Sequence, residues 1–523
     1  MKKISKINIF ILLFLLITVF YPIFQMLIRV EWSQFGTIIL SSSFNEALKN
    51  SIIVTSISTI ISIIIAYLLA YSLNRTNIKH RAFLKILITI PMLIPSISHG
   101  LGLINLFGTN GIISKVLNFN IIGFPGIIIG SIMYSFPIAF LMFCDGFNYV
   151  DSNMYNTAKV LGMNKWETFK NVTLCYMKKP IISAVFAVFT MIFTDYGVPL
   201  SVGGKYLTLP VYLYKEVIGL LNFSSGTIIG LFLLIPAFIS FLFDTLSKDF
   251  SKSNSKENND IIEKNKKMDL FFGLFTYLII ICIFVIISSF IYYAFIDNPV
   301  LNPSLSFKHF IYLIDNDIGR FIVNSLFIAL ITSVLGTLIT YFAAYATART
   351  NSKTSRLIHI LAISSLAIPG IVLGLSYTIT FNNSFIYNTF IILILVNIIH
   401  FMASPYLMAY NALNKLNPNF EIVAKTCNIS KYRIIKDVII PCSKKTIREM
   451  LGYFFVNSMI TISAIAFLFN TQTMPLSLLI NNYESNMMLG EAAIVSLIIL
   501  LFNILVKSII YLINRKEDKI KWN

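Results

Sequence analysis

The stretch YNTAKVLGMNKWETFKNVTLCYMKKP, residues 155–180, is polar and lysine-bearing and lies between two long apolar runs. A second stretch of the same build, NFEIVAKTCNISKYRIIKDVIIPCSK at 419–444, holds the corresponding place later in the chain. What surrounds them is apolar. Of 523 residues 56% are hydrophobic and only 12% charged, with a mean hydropathy of +0.78; a soluble chain carries about a quarter charged residues. Runs of roughly 20 apolar residues each suffice for one helical crossing of a ~30 Å hydrocarbon core. The strands of a membrane β-barrel would be ~10 residues long with strict alternation. The expected fold is therefore all-α, a polytopic membrane protein partnered by the lipid bilayer.

A net charge of +18 invites a nucleic-acid reading until its distribution is followed. Lys and Arg collect in short loops on alternate sides of the apolar runs, the bias that places those loops inside a cell. No nucleic-acid partner is expected. Cys144, Cys175, Cys282, Cys427 and Cys442 follow no metal-ligand spacing and fall in apolar runs or basic loops, so neither a metal site nor a disulfide framework is predicted.

Twelve spans fit the pattern, near 9–30, 50–73, 83–106, 121–147, 181–198, 227–246, 269–296, 321–346, 357–381, 386–412, 450–469 and 488–513. The first follows Lys2, Lys3 and Lys6, but it is too long for a signal peptide and no small-x-small cleavage site follows it. The third contains Pro91, Pro95 and Gly100 and is predicted to be kinked or broken. An even count puts both termini on the basic, cytoplasmic side. Residues 248–267 are polar and charged without apolar periodicity, and read as a cytoplasmic linker between units 1–247 and 268–523.

The two units are repeats. Asn50-Ser51, Ala70-Tyr71, Arg75-Thr76-Asn77, Pro95 and Gly100 recur as Asn324-Ser325, Ala344-Tyr345, Arg349-Thr350-Asn351, Pro369 and Gly374, each at an offset of 369 − 95 = 274. Two units of six spans enter from the same face, so they are parallel repeats about an axis along the membrane normal, with a path between them.

Within the loops 150–180 and 416–446 the spacing reads as helix, tight turn, helix. Gly162 can take the left-handed conformation that ends the first helix, and Asn428 stands at the matching place, where Asn is the usual substitute for Gly. Aliphatic residues on either side, Ala158, Leu161, Val172 and Leu174, are placed to face a partner.

These loops resemble the E-A-A-x(3)-G-x(9)-I-x-L-P signature of the permease subunits of ATP-binding-cassette importers. Matched onto this chain, the second alanine is Ala158 and Ala424 and the glycine is Gly162, with Asn428 in the second copy. The closing trio falls on Val172, Leu174 and Cys175, and on Val438, Ile440 and Pro441. The motif's glutamate position holds Asn156 and Ile422, with Glu421 one residue early. The resemblance covers nearly the whole chain as two permease modules in tandem. It implies that each loop is a coupling helix docking on one of two copies of a cytoplasmic ATPase, and that an extracytoplasmic binding protein delivers the solute. The phosphate-cradling pattern G-x(4)-G-K-[ST] is missing, since Gly204-Lys205 is followed by Tyr206. ATP hydrolysis is accordingly expected on a separate chain, with no catalytic residue and no cofactor on this one.

Two stretches, Thr194 to Gly230 and Met459 to Phe469, resemble fused permeases for 2-aminoethylphosphonate, and iron(III) permeases of the same branch are similar there. Thiamine and polyamine carriers are relatives of the same kind. The candidate path residues are His99, Thr194, Asp195, Asn457 and Thr461. Asp195 either lines the path or is an outer carboxylate paired with Lys205; His99 either faces the path or is a hydrogen-bonded packing residue. Asn457 and Thr461 either offer neutral hydrogen bonds to a solute or join helices. A secondary transporter driven by an ion gradient is the alternative from another class, and it would need mid-helix ionisable residues, of which this chain has few.

Overall fold

A computed structural model describes residues 6–109, 111–114, 120–148, 152–246, 265–298, 302–350 and 352–520. Most of the proposed linker, 248–264, lies outside the described residues. The chain is helical almost throughout, and its one sheet among the described residues is a two-stranded antiparallel hairpin, Ile296–Asn298 with Asn302–Leu305. Among the described residues eight helices are long and apolar enough to cross a membrane, and three bent pairs raise that to eleven. The place of the remaining span is taken by Lys444–Ile460, a helix of 17 residues.

The breaks fall where backbone chemistry demands them. Arg81–Leu93 meets Ser96–Phe107 at 95°, and Lys353–Ala367 meets Gly370–Phe381 at 112°. Pro95 and Pro369 sit at these joints, each without the N–H that would continue the helix. A third bent pair was not expected: Phe390–Phe401 and Ala403–Lys415 meet at 54°, just ahead of Pro405, which cannot donate to the carbonyl four residues back. The fifth span also differs from expectation. It begins at Lys165 rather than beyond Pro180 and runs to Phe193, with Pro180 inside the helix. The basic stretch is thus continuous with the span it precedes. The second span is likewise longer, Ser42–Arg75, with Ser41 accepting from the Phe44 N–H at its start.

Bundle polarity is reversed from that of a soluble protein. Large apolar side chains such as Ile60, Leu274 and Leu330 are exposed around the outside, while Ser58, Ser62, Thr332 and Thr340 are buried on the inner faces of the second and eighth spans. There hydroxyls join helices, as in the 2.9 Å contact between Ser62 and Ser135.

Each half reaches across to the other. The first span lies against the ninth, where the Tyr377 hydroxyl donates to the Thr18 carbonyl at 2.7 Å. Lys266–Phe295, the seventh span, packs on the second and third; Ser72 and Thr276 join at 2.7 Å, and the Asn77 N–H donates to Asp269 at 3.0 Å. One core cluster runs through both halves; a second, around Leu69, Phe136, Phe140 and Met177, includes Ile280 and Ile283 of the seventh span.

The repeated Asn-Ser pairs do the same work in both halves. Asn50 donates to the Leu207 carbonyl at 3.0 Å, and Ser51 accepts from the Leu209 N–H at 2.7 Å. Asn324 donates to the Gln472 carbonyl at 2.7 Å, and Ser325 accepts from the Leu476 N–H at 2.7 Å. Each pair fastens the start of a long span to the segment that follows the break near Thr194 or Thr461.

Candidate functional site

The two loops fold into matching elbows. In the first, helix Ser152–Val160 ends at Gly162, whose φ is +71°, with the Met163 N–H donating to the Ala158 carbonyl at 3.0 Å. In the second, helix Asn419–Thr426 ends at Asn428 with φ +53°, and the Ile429 N–H donates to the Ala424 carbonyl at 2.7 Å. A left-handed residue closed by a six-to-one bond is how a helix stops and turns sharply. Asn164 then starts the next helix with a capping box: it accepts from the Glu167 N–H at 2.9 Å, and Glu167 accepts from the Asn164 N–H at 2.8 Å. Ser430 plays the cap in the second copy, accepting from the Arg433 N–H at 3.3 Å. A short helix and one π-turn follow in each, Lys165–Thr168 with Phe169–Thr173, and Lys431–Ile434 with Ile435–Ile439. All of this repeats at 428 − 162 = 266.

The faces of the elbows differ from the sequence expectation at Ala158 and Val172, while Leu161 is outward as expected. Ala158 is 2% exposed and Ala424 6%, and Val172 is buried as well. Leu174, Val438 and Ile440 are half-buried, while Gly162, Asn428 and Pro441 are exposed. The motif alanines therefore look inward, where a small side chain lets the elbow close on the bundle. The outward surface is made by Val160, Leu161 and Trp166, and by Ile422, Val423 and Tyr432. Trp166 and Tyr432 occupy the same position, 432 − 166 = 266, and are 70% and 74% exposed. Aromatic residues exposed at matching sites of a repeat are a signal the sequence carries, once the loops are aligned on Gly162 and Asn428.

An arginine joins each elbow to the span that ends beside it. Arg349, just past Ile318–Ala348, donates through Nε to Glu421 at 2.6 Å and through Nη2 to the other carboxylate oxygen. The same guanidinium donates to the carbonyls of Leu416 at 2.8 Å, Asn417 at 2.9 Å and Leu413 at 3.3 Å. Arg75 stands over the ring of Tyr155 at 4.2 Å, and the Tyr155 hydroxyl meets Thr173 at 2.9 Å.

Four of the five path candidates make side-chain hydrogen bonds to the protein, while His99 Nδ1 is enclosed without a hydrogen-bond partner among the described residues. His99, 1% exposed, donates from Nε2 to the Pro91 carbonyl at 3.2 Å. That carbonyl is the one Pro95 cannot serve. Asp195 pairs with the backbone instead of Lys205, accepting from the N–H groups of Val198 at 3.0 Å and Gly197 at 3.4 Å, and so starts the short helix Gly197–Val202. Thr194 and Asn457 bond back to their own helices, at Thr190 and Tyr453. The Thr461 carbonyl accepts from Ser477 at 2.6 Å where Lys444–Ile460 ends.

Contacts between the halves come from elsewhere. Ser98 and Ser496 meet at 2.9 Å, and Asn503 donates to the Leu93 carbonyl at 2.8 Å. Glu484, which sequence reasoning passed over, accepts from Ser201 across the interface, and its Oε2 is enclosed without a hydrogen-bond partner among the described residues. Its position in a polar stretch, NNYES, gave no sign of burial.

Comparison with known proteins gives one consistent answer. The family model described as the inner-membrane component of binding-protein-dependent transport systems matches residues 59–302 and again 336–519. A ferric transport system permease protein of Actinobacillus pleuropneumoniae is 24% identical over 429 residues, covering 77% of this chain and 62% of that protein, less than two thirds of its length. An Fe(3+)-transport system permease protein of Haemophilus influenzae is 22% identical over 471 residues, covering 88% of each. A sulfate transport system permease protein of Synechococcus elongatus is 24% identical over 199 residues, covering 36% of this chain and 70% of that protein.

Proposed function

The chain belongs to the family of inner-membrane components of binding-protein-dependent transport systems, and from that premise we propose that it is a fused permease driven by separate ATPase subunits. Each elbow docks on one of two copies of a cytoplasmic ATP-binding-cassette subunit, and an extracytoplasmic binding protein delivers the solute to the other face. Units 1–247 and 268–523 act as the two permease modules, with both termini cytoplasmic. Closure of the ATPase pair rocks one half against the other, so the path between them opens alternately to each side.

The observation that carries this reading is the pair of elbows, repeated at one offset and each presenting apolar side chains and one aromatic residue outward. Aromatic anchors dominate the energy of docking surfaces. Of the two cargoes the sequence resembles, iron(III) has the support of relatives named for it, and 2-aminoethylphosphonate stands second. The test is uptake into proteoliposomes holding the full chain, its ATPase and its binding protein, supplied with radioactive iron(III) or with 2-aminoethylphosphonate. ATP-dependent accumulation of iron is expected. Accumulation that ignores ATP and collapses with an ion gradient would overturn the reading.

A further inference from the structure

We propose that the second and eighth spans are rigid rods, fastened at both ends, that carry the movement of each elbow to the opposite face; this rests on the elbows being the ATPase docking sites. The inner fasteners are Arg75 and Arg349. Position 349 is 75 + 274, and Glu421 is at 155 + 266, so Arg349 with Glu421 and Arg75 with Tyr155 are the same join made with different chemistry. Arg349 holds three main-chain carbonyls besides the carboxylate, which ties the end of Ala403–Lys415, the elbow and the eighth span at one point. Its side chain is 5% exposed and that of Glu421 26%.

The outer fasteners are the Asn-Ser pairs. Asn50-Ser51 and Asn324-Ser325 grip the backbone at 207–209 and 472–476 through five bonds of 2.7 to 3.2 Å. From Asn50 to Arg75, and from Asn324 to Ala348 with Arg349 just beyond it, the helix is unbroken. At 1.5 Å per residue that is about 37 Å in each rod. The third, ninth and tenth spans are bent and can flex at their joints; the second and eighth are not among the bent pairs. Arg75 and Arg349 are therefore positioning residues. Without them an elbow could move while its rod stayed still.

The test uses the full chain assembled with its ATPase subunit in nanodiscs, the five cysteines replaced. Nitroxides on Lys205→Cys and Gln472→Cys report the separation of the two outer segments by pulsed electron resonance, with ADP and with ATP plus vanadate. The wild-type distribution is expected to shift between the two states. Glu421→Gln and Asn324→Ala, at opposite ends of one rod, are each expected to lower the ratio of shifted to unshifted population by roughly two- to thirtyfold, with the ATPase bound as before. Because they act in series, the double variant falls no further than the worse single one. Arg349→Lys keeps the charge but not the fork, and gives an intermediate value. A full shift in Glu421→Gln, additive losses in the double variant, or loss of the ATPase in step with loss of the shift would each overturn the proposal. A wild-type chain that binds no ATPase would instead bring down the proposed function on which it rests.

Discussion

Ala158 and Trp166 lie eight residues apart and divide the elbow between inside and outside. A carboxylate at Ala158, which is 2% exposed, would be buried. Ala158→Asp is expected to unfold the elbow at a cost of several kcal/mol, read as a new protease-sensitive site near 158. Trp166→Ala and Tyr432→Ala remove side chains that touch mainly solvent in the free chain. They are expected to leave thermal stability within about 0.5 kcal/mol and to weaken ATPase binding by about 2 kcal/mol each, measured by titration of the detergent-solubilised complex. Matching residue types to a signature identified the motif alanines but not their direction, because spacing does not say which side of a two-helix elbow meets the bundle.

His309 gives a pH dependence at the same scale. Its Nδ1 lies 3.0 Å from Glu491 and its Nε2 3.0 Å from the Ile296 carbonyl, so both ring nitrogens face acceptors and the charged ring is favoured. The hydrogen bond to Glu491 holds its pKa above the ordinary 6.5. Since the folded value is raised, the stabilisation is complete below the unfolded value and fades as pH rises through the folded one. Amide protection factors in the hairpin Ile296–Asn298 and Asn302–Leu305, corrected for intrinsic exchange, should be larger near pH ~6 than near pH ~8.5. His309→Gln should remove the difference, and equal protection at both pH values in the wild type would contradict it.

At the scale of elements, the joints beside the broken spans show how two copies of one fold can differ in sequence. A side chain on Gly197 would meet Ser96 Oγ at 2.2 Å, and one on Gly370 would meet Ser463 Oγ at 2.4 Å. Ser96 corresponds to Gly370 by 274, and Gly197 to Ser463 by 266. Each half thus packs one serine against one glycine, in opposite order. Gly197→Ser alone is expected to destabilise by about 1–3 kcal/mol through overpacking. Adding Ser96→Gly should recover only part of that loss, since the Ile97 nitrogen would still lie 2.8 Å from the added carbon, as read from thermal melting in detergent.

Breaks at Pro95 and Pro369 were legible in the sequence because proline removes a donor in any surroundings. Pro180 and Pro405 were not, since one sits inside a continuous helix and the other beside a bend, and the neighbours that decide between these outcomes are distant in sequence. The elbows were legible as helix, turn, helix because Gly162 and Asn428 mark a local backbone need. The hairpin after the seventh span carries no alternating pattern long enough to read.

For the whole molecule, the repeat and the all-α membrane architecture could be read from hydropathy and offset alone. The crossing of the halves could not. Nothing in a run of apolar residues says that the seventh span will pack on the second and third, or the first on the ninth; that depends on which hydroxyls and small side chains meet, as Ser72 meets Thr276. Asp195 and His99 stand in the sequence as polar groups in apolar surroundings, and nothing there shows that one accepts from the Val198 N–H and the other serves the Pro91 carbonyl. Glu484 and Ser201, 283 residues apart, meet across the halves without any sequence sign of it.

Two elbows on the cytoplasmic face, each meeting an ATPase subunit, are the centre of the proposed function. The direct measurement places single cysteines at Trp166 and Tyr432 in the full chain, with the five native cysteines replaced, and labels them with a membrane-impermeant thiol reagent in vesicles of known orientation. Both positions should react only from the cytoplasmic side, and both should be shielded once the ATPase subunit is bound. Labelling of either from the outer side, or reactivity of both that the ATPase leaves unchanged, would contradict it.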